Sequence, residues 1–380
     1  MAIRILHTAD WQLGKPFAGL SGDTGALLRA ARFDAVRTIA RLAREHEVDA
    51  VLVAGDVFDD NYVERATVAK ALAAMREFDG PWLLLPGNHD PALAASVWTR
   101  IAGDGPPEQI RLATTPEPLP VADGMAVVLP APLTERHSQD DLTAWIDEAA
   151  TPAAAVRIGL AHGAIADRLP ADADAWNPIA ADRAERARLA YLALGDWHGT
   201  LQITARTWYA GTPEPDRYKA NASGQVLLVE IDGPDAPPRI TALATGHYRW
   251  RQVTFSCAAL AGGIEPPALA LRRELGDLSD GHRQLVQLRL QGCLGMAQRA
   301  ELEAEIKHLE AELACLEVED SELSDEPTAA DQALLDDAGT VGVAARRLRE
   351  LAGEQGEEAA VAALALRLLY GQASAVKAGR

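Results

Sequence analysis

Residues 83–90 read Leu-Leu-Leu-Pro-Gly-Asn-His-Asp, and the fold is organised around this stretch. The apolar run stops at Pro86 and Gly87, and three polar side chains follow directly. This pattern predicts a buried strand that ends in a tight loop, because a glycine permits a turn that a Cβ would obstruct. Ligands of open α/β sheets bind just beyond the carboxyl ends of the strands. Asn88 can therefore offer an amide oxygen to a hard metal ion there, and His89 can offer a nitrogen or a proton.

Taken alone, that stretch fits an ordinary surface turn equally well, but four further apolar runs end in the same kinds of side chain. The runs at residues 3–6, 51–54, 156–161 and 191–194 are followed, respectively, by Asp10 and Gln12, by Asp56, by His162, and by Asp196 and His198. A solvated loop has no reason to repeat this arrangement. Asp, Asn and His side chains that converge on one edge of a sheet are typical of a site for two metal ions.

The order of these motifs resembles that of the calcineurin-like metallophosphoesterases. The family pattern is Asp-x-His, Gly-Asp, Gly-Asn-His-Asp, a His before a small residue, and Gly-His-x-His. The corresponding motifs in this chain are Asp10-Trp11-Gln12, Gly55-Asp56, Gly87-Asn88-His89-Asp90, His162-Gly163 and Gly195-Asp196-Trp197-His198, which together span about half of its length. Within the family, the chain resembles the SbcD-type nuclease subunits, which work with an SMC-like ATPase. That narrower resemblance rests on the sequence His-Thr-Ala-Asp-Trp at residues 7–11 and Gly-Asp-Val-Phe-Asp at residues 55–59. The length of the chain and the segment that follows the motifs also support it.

The resemblance implies two divalent metal ions that share one ligand. Asp56 would bridge both ions, since a carboxylate has two oxygens. One ion would be completed by Asp10, Gln12 and His198, and the other by Asn88, His162 and Asp196. Mn²⁺ is expected first because the ligands mix nitrogen and oxygen, with iron or zinc as alternatives.

The resemblance also implies which residues act on the substrate. His89 would be the general acid for the leaving alkoxide or would stabilise charge, and Asp90 would orient its ring. Asp59 lies nearby in sequence and would support the metal ligands. Arg217 would meet a phosphodiester backbone, although plain surface charge is an equally good interpretation of this residue.

Two residues depart from the family pattern. Gln12 and Asp196 both stand where the family has a histidine. A glutamine amide is a weaker ligand than imidazole, whereas a carboxylate binds hard cations well and adds negative charge. We therefore expect the two metal positions to differ in affinity, with the weaker one at Gln12.

Composition limits the class of protein. The chain has 380 residues, of which 48% are hydrophobic, so two or three domains with ample cores are expected. Its net charge of −19 argues against nucleic-acid binding by bulk electrostatics, although local basic patches remain open. Three cysteines without metal or disulfide spacing, no signal peptide and no apolar run of ~20 residues predict a cytoplasmic protein without a membrane span.

The predicted fold class is α/β: a four-layer αββα metallophosphoesterase sandwich with a small α+β capping domain and a helical C-terminal tail. Apolar spacing predicts βαβαβ up to residue 90, and a helix around residues 142–146. The expected domains are 1–245 (nuclease), 246–324 (capping) and 325–380 (helical, with an apolar face at 361–369). That last face would bind the ATPase or pack on the chain's own capping domain. The arginines at 183, 186 and 188 would form a solvated helix face, or contact phosphates.

The leading function is a metal-dependent phosphodiesterase that hydrolyses DNA, as the exonuclease or endonuclease subunit of an SbcCD-like complex in DNA repair and recombination. Its partners would be DNA and an SbcC-type ATPase, and a homodimer is allowed. One alternative is a phosphatase or phosphodiesterase acting on small nucleotides or phosphoproteins. The other is a non-catalytic scaffold for the ATPase, which the departures at Gln12 and Asp196 favour and the retained His89 opposes.

Overall fold

The computed structural model describes residues 2–20, 22–165, 176–257, 265–325, 339–354 and 356–378. The chain divides into two compact units, Met1–Arg249 and Trp250–Arg380. The predicted division into three domains, with the functions assigned to them, stays a prediction.

Two six-stranded sheets form the centre of the first unit. The strands of the first sheet are β1 (Ile3–Thr8), β2 (Ala50–Val53), β3 (Trp82–Leu84), β4 (Ile110–Leu112), β13 (Gln225–Ile231) and β14 (Arg239–Ala244). Those of the second sheet are β5 (Leu119–Val121), β6 (Ala126–Ala131), β7 (Val156–His162), β10 (Tyr191–Gly195), β11 (Leu201–Gln202) and β12 (Thr207–Tyr209). The first sheet has the order β14-β13-β1-β2-β3-β4 and the second β11-β12-β10-β7-β6-β5. A short parallel pair, β8 (Ala164–Ile165) and β9 (Pro178–Ile179), lies outside both sheets.

The helices of the first unit connect parallel strands. They are α1 (Thr24–Glu45), α2 (Arg65–Met75), α3 (Val97–Asp104) and α4 (Arg183–Arg186). The order β1-α1-β2-α2-β3, with parallel pairing of β1 with β2 and of β2 with β3, confirms the predicted βαβαβ. The helix predicted around residues 142–146 is only a 3-10 turn, Ala144–Asp147.

Strand β2 illustrates how the layers form. Val51 and Val53 pack in a cluster with residues of α1 and α2, whereas Leu52 and Ala54 pack in a second cluster with residues of β7. Successive side chains point to opposite faces of a strand, so a strand with both faces buried is apolar throughout. A third cluster joins the other face of the second sheet to α4 and the 3-10 turn. The predicted four-layer arrangement of two sheets between helices is confirmed.

The second unit is built on a three-stranded sheet. Its strands are β15 (Arg249–Ser256), β16 (Gln284–Leu294) and β17 (Cys315–Asp325), and its helices are α5 (Pro267–Leu275), α6 (Met296–Glu312), α7 (Thr340–Ala352) and α8 (Glu357–Ala378). Leu302, Ile306 and Leu309 form the buried face of α6, which belongs to the same core cluster as residues of β16. Helix α6 is therefore a single amphipathic helix packed on this small sheet, and strand β17 follows it.

The C-terminal helices are joined to this second unit. Ala345 of α7, Leu366 and Tyr370 of α8, and Met296 at the start of α6 form one buried cluster. Packing on the chain's own second unit, one of the two alternatives for this segment, is therefore observed for these side chains. Other apolar residues of the same helices are exposed: Val343, Val361, Leu364 and Leu368.

Arg183 is expected from the sequence to lie on a solvated helix face or to contact a phosphate, and both interpretations are wrong. Its side chain is buried and pairs with Asp141 and Asp147, at 2.7 and 2.6 Å. The carboxylates come from a segment about 40 residues away, which the helical spacing of arginines cannot reveal.

No helix in the parts of the chain that the structure describes has the length and apolar character needed to cross a membrane.

Candidate metal centre

The predicted ligands lie at the ends of five strands or in the loops that follow them. Asp10, Asp56 and Asn88 follow β1, β2 and β3 of the first sheet, whereas His162 ends β7 and Asp196 follows β10 of the second. The expectation that they share one sheet edge is therefore wrong, because the carboxyl edges of both sheets contribute. In the second sheet, His162 is in register with the last residue of β10, so the ligands of that sheet start from adjacent positions.

One half of the centre, called here the carboxylate side, consists of Asp10, Asp56, Asn88, His162 and Asp196. His162 lies at its middle: its Nε2 is 3.1 Å from Asn88 Oδ1, 3.5 Å from Asp56 Oδ1 and 3.7 Å from Asp196 Oδ1. The candidate ligand atoms of Asp10, Asp56 and His162 all lie within 4.8 Å of one another, and all three residues are buried. This grouping takes members from both predicted ligand sets.

Burial leaves the charges of the carboxylate side poorly compensated. Burial raises the pKa of Asp10, and it raises the pKa of Asp196 to about 7. Burial alone would lower the pKa of His162, but the negative charges of Asp56, Asp10 and Asp196 raise it to about 9. Asp10 Oδ2 is buried without a hydrogen-bond partner among the described residues. Oxygen and nitrogen donors that converge with excess negative charge fit a divalent cation.

The backbone around these residues is held in rare conformations. Four predicted ligands have a positive φ: Asp10 (55°), Gln12 (41°), Asp56 (51°) and Asp196 (100°). Such conformations cost energy and cluster at functional sites. Gly87 is required for a different reason: a Cβ there would lie 2.1 Å from Asp56 Oδ1. The glycine predicted from the sequence as a turn residue thus also admits the Asp56 carboxylate.

His89 lies at this centre, with its side chain 41% exposed and its Nε2 3.9 Å from Asp56 Oδ2. Its Nδ1 is 2.9 Å from the carbonyl oxygen of Asp59, and its backbone N–H donates to Asp56 Oδ1 at 2.9 Å. The prediction that Asp90 orients this ring is wrong. The buried Asp90 carboxylate instead accepts the backbone N–H groups of Phe58 and Gly87, at 2.9 and 2.7 Å, and so holds the two loops together.

The other half of the centre, called here the lysine side, consists of Gln12, Lys15, His198 and Asp216. Lys15 Nζ donates to Gln12 Oε1 at 2.9 Å and to Asp216 Oδ2 at 2.7 Å. The Gln12 amide nitrogen lies 3.4 Å from His198 Nε2, and His198 Nδ1 lies 3.0 Å from Asp216 Oδ2. The side chains predicted as ligands on this side therefore contact each other and a lysine.

Asp216 and Lys15 were missed in the sequence. The Asp216 carboxylate is 1% exposed, and Arg32 Nη2 lies 3.3 Å from it. Burial opposes its charge, but His198, Arg32 and Lys15 hold the pKa of Asp216 well below its usual range. Asp216 follows β12 in the chain, so its position after a strand is a feature of the sequence that could have indicated this residue. Arg217, the predicted substrate ligand, donates its Nε to Asp216 Oδ1 at 2.9 Å.

Comparison with known proteins agrees with this geometry. Residues 3–181 match the family model described as "Calcineurin-like phosphoesterase". Proteins named as the SbcD component of the nuclease SbcCD are similar over a shorter part. The one from Escherichia coli K12 is 35% identical over 92 residues, which are 23% of this chain and 21% of that protein. The one from Rhodobacter capsulatus is 38% identical over 95 residues, 24% of this chain and 22% of that protein. These alignments span about a fifth of the length of the curated relatives. Residues 3–181 therefore match the family that the motifs resemble.

Proposed function

We propose that this chain, whose residues 3–181 form a calcineurin-like phosphoesterase domain, is a metal-dependent phosphodiesterase that hydrolyses DNA. The observation that carries the proposal is the buried group of Asp10, Asp56 and His162, with His89 exposed beside it. A buried excess of carboxylates is costly unless it binds a cation, and the partly exposed histidine can reach a substrate.

The residues of the centre have separate tasks in this proposal. A divalent cation bound by the carboxylate side would neutralise phosphodiester charge and lower the pKa of a water molecule. His89 is held through Nδ1 by the Asp59 carbonyl, so its Nε2 is free to face the substrate. From there it gives a proton to the leaving alkoxide or stabilises its charge. Mn²⁺ is the first candidate for the cation, because the donors mix nitrogen and oxygen.

DNA is proposed as the substrate because the similar curated proteins are named as parts of a nuclease. Purified full-length protein should be incubated with end-labelled single- and double-stranded DNA, with and without Mn²⁺, at fixed salt concentration. Mn²⁺-dependent cleavage that EDTA abolishes is expected. Cleavage of bis(p-nitrophenyl) phosphate without any cleavage of DNA would instead favour a phosphodiesterase acting on small nucleotides. Metal binding without hydrolysis of either substrate would favour the scaffold.

The proposed partner is an SMC-like ATPase, bound by the exposed apolar residues of α8. Val361, Leu364 and Leu368 are exposed by 65%, 48% and 65%, and their spacing places them on one side of the helix. Leu366 and Tyr370 are buried on the other side, so removal of the whole helix would damage the second unit itself. Point substitutions are therefore the sharper test.

The test for this partner uses Val361→Asp/Leu368→Asp, with Glu358→Lys as a control at an exposed polar position of α8. Co-purification of a co-expressed ATPase should be lost in the double variant and kept in the control, while cleavage of short DNA is unchanged in both. Unchanged co-purification of the double variant would contradict this docking surface.

A further inference from the structure

We propose that the ammonium group of Lys15 takes the place of the second divalent cation, so that this chain holds a single metal ion, on the carboxylate side. The two-ion arrangement requires Gln12 and His198 as ligands of the second ion. Both side chains are at the centre, but Gln12 Oε1 accepts a hydrogen bond from an ammonium group, which a metal ion at this position would have to displace. The donor set of the lysine side therefore does not fit a metal ion.

The first argument is the state of the two ligand atoms. Gln12 Oε1 is the oxygen that a metal would need, and it accepts a hydrogen bond from Lys15 Nζ at 2.9 Å. His198 Nε2 is the corresponding nitrogen, and the Gln12 amide nitrogen lies 3.4 Å from it. A histidine in place of Gln12 would lack the amide group whose oxygen contacts Lys15 and whose nitrogen contacts His198. The departure at Gln12 and the position of Lys15 are therefore parts of one arrangement.

The second argument is the balance of charge. The lysine side contains the Asp216 carboxylate, whose oxygens contact Lys15, Arg32 and Arg217 at 2.7, 3.3 and 2.9 Å. Lys15 contacts both this carboxylate and Gln12, so a divalent cation bound at Gln12 would lie beside the ammonium and would be repelled by it. On the carboxylate side, by contrast, Asp10 Oδ2 is buried and without a hydrogen-bond partner among the residues that the structure describes.

The third argument is that Lys15 is held in this position. Its backbone N–H donates to the Gln12 carbonyl at 3.2 Å, which closes a turn between the two residues. Its side chain is 26% exposed and bridges Gln12 to a carboxylate that comes from the other end of the first unit. Two acceptors, Gln12 Oε1 and Asp216 Oδ2, thus fix the position of the Lys15 ammonium.

The experiment counts metal ions and requires no turnover. Metal-free wild-type protein should be titrated with Mn²⁺ by calorimetry and by electron paramagnetic resonance, beside Lys15→Met and Gln12→His/Lys15→Met. Lys70→Met is the matched control, because Lys70 lies on α2 over the Phe33 ring, outside the centre. Lys15→Gln serves as a polar replacement if the methionine variants do not fold, as judged by circular dichroism.

We expect one tightly bound Mn²⁺ in the wild type and in Lys70→Met, with the six-line spectrum of an isolated ion. The double variant should bind a second Mn²⁺ at least about tenfold more tightly than the wild type and should give a spin-coupled spectrum. Two equivalents of similar affinity in the wild type would overturn the inference, as would a folded double variant that still binds one.

The inference rests on the proposed function only for the ion on the carboxylate side. Wild-type protein that binds no Mn²⁺ at all would contradict the proposed metal-dependent phosphodiesterase, and the inference with it. Two equivalents in the wild type would overturn the inference alone and leave the phosphodiesterase standing.

Discussion

The two sides of the centre use opposite balances of charge. On the carboxylate side, Asp56, Asp10 and Asp196 surround the imidazole of His162. On the lysine side, the buried Asp216 carboxylate meets several cationic side chains. The difference teaches that the position of charged neighbours, as much as the identity of the ligands, decides where a cation can bind.

The magnitude of this effect is large enough to matter. Two unit charges about 4 Å apart interact with roughly 4 kcal/mol at an effective dielectric constant of 20, which suits sites near a protein surface. A divalent ion beside Lys15 would meet a repulsion of this order or more, whereas near Asp56 and Asp10 it would meet attraction. The same reasoning ranks four substitutions from the largest expected effect to the smallest.

Asp56→Asn should break the carboxylate side and have the largest effect. Loss of the central carboxylate should abolish stoichiometric Mn²⁺ binding and lower DNA hydrolysis by roughly 10³-fold or more, because metal ions supply several kcal/mol of transition-state stabilisation. Calorimetry and a cleavage assay measure both quantities. Asp79→Asn, at an exposed position, makes the same change of charge and should leave both unchanged. Full metal binding by Asp56→Asn would contradict the assignment.

His89→Ala should separate chemistry from metal binding. The ring contacts the Asp59 carbonyl and lies beside Asp56, so its removal should leave Mn²⁺ affinity intact and lower turnover by about 10²–10⁴-fold. Steady-state kinetics on labelled DNA, together with calorimetry, test this. His308→Ala, on the exposed face of α6, is the control. Turnover equal to that of the wild type would remove His89 from the mechanism.

Asp216→Asn should break the lysine side. Loss of this carboxylate removes one of the two acceptors that hold the Lys15 ammonium, so the ammonium should lose its fixed position. Stability should also fall, by about 3–5 kcal/mol, because the buried Arg32 loses the carboxylate that it contacts. Urea denaturation measures the second effect. Asp232→Asn removes an exposed partner of Arg239 and should leave stability nearly unchanged, because solvent screens an exposed ion pair. Equal stabilities of the two variants would refute this account of Asp216.

Asp196→His should have the smallest effect of the four substitutions, and it tests how the charge of the carboxylate side affects the choice of metal. The substitution restores the family residue and removes one negative charge from the carboxylate side, so Mn²⁺ affinity should fall by about tenfold while Zn²⁺ affinity rises. Competition titrations with the two metals measure the ratio. An unchanged preference between Mn²⁺ and Zn²⁺ would show that Asp196 does not contribute to the choice of metal.

The sequence predicts the local parts of the molecule well. The βαβαβ beginning and the Asp, Asn and His residues after strands follow from apolar periodicity and turn residues, which act over a few neighbouring positions. The family motifs add which of these residues form one site. The 3-10 turn at Ala144–Asp147 marks the limit, because a few apolar residues at helical spacing do not distinguish a helix from a single turn.

Contacts between distant segments were decided only by the tertiary structure. No periodicity links Lys15 to Asp216, about 200 residues away, or Arg183 to Asp141, because each pair exists only after the elements that carry it have packed. The same holds for His89, whose ring is held by the carbonyl of Asp59 and not by the adjacent Asp90. The sequence by itself determined which side chains are offered to a metal. Tertiary packing decided which of them remain available, because it also places the competing hydrogen-bond donors and charges.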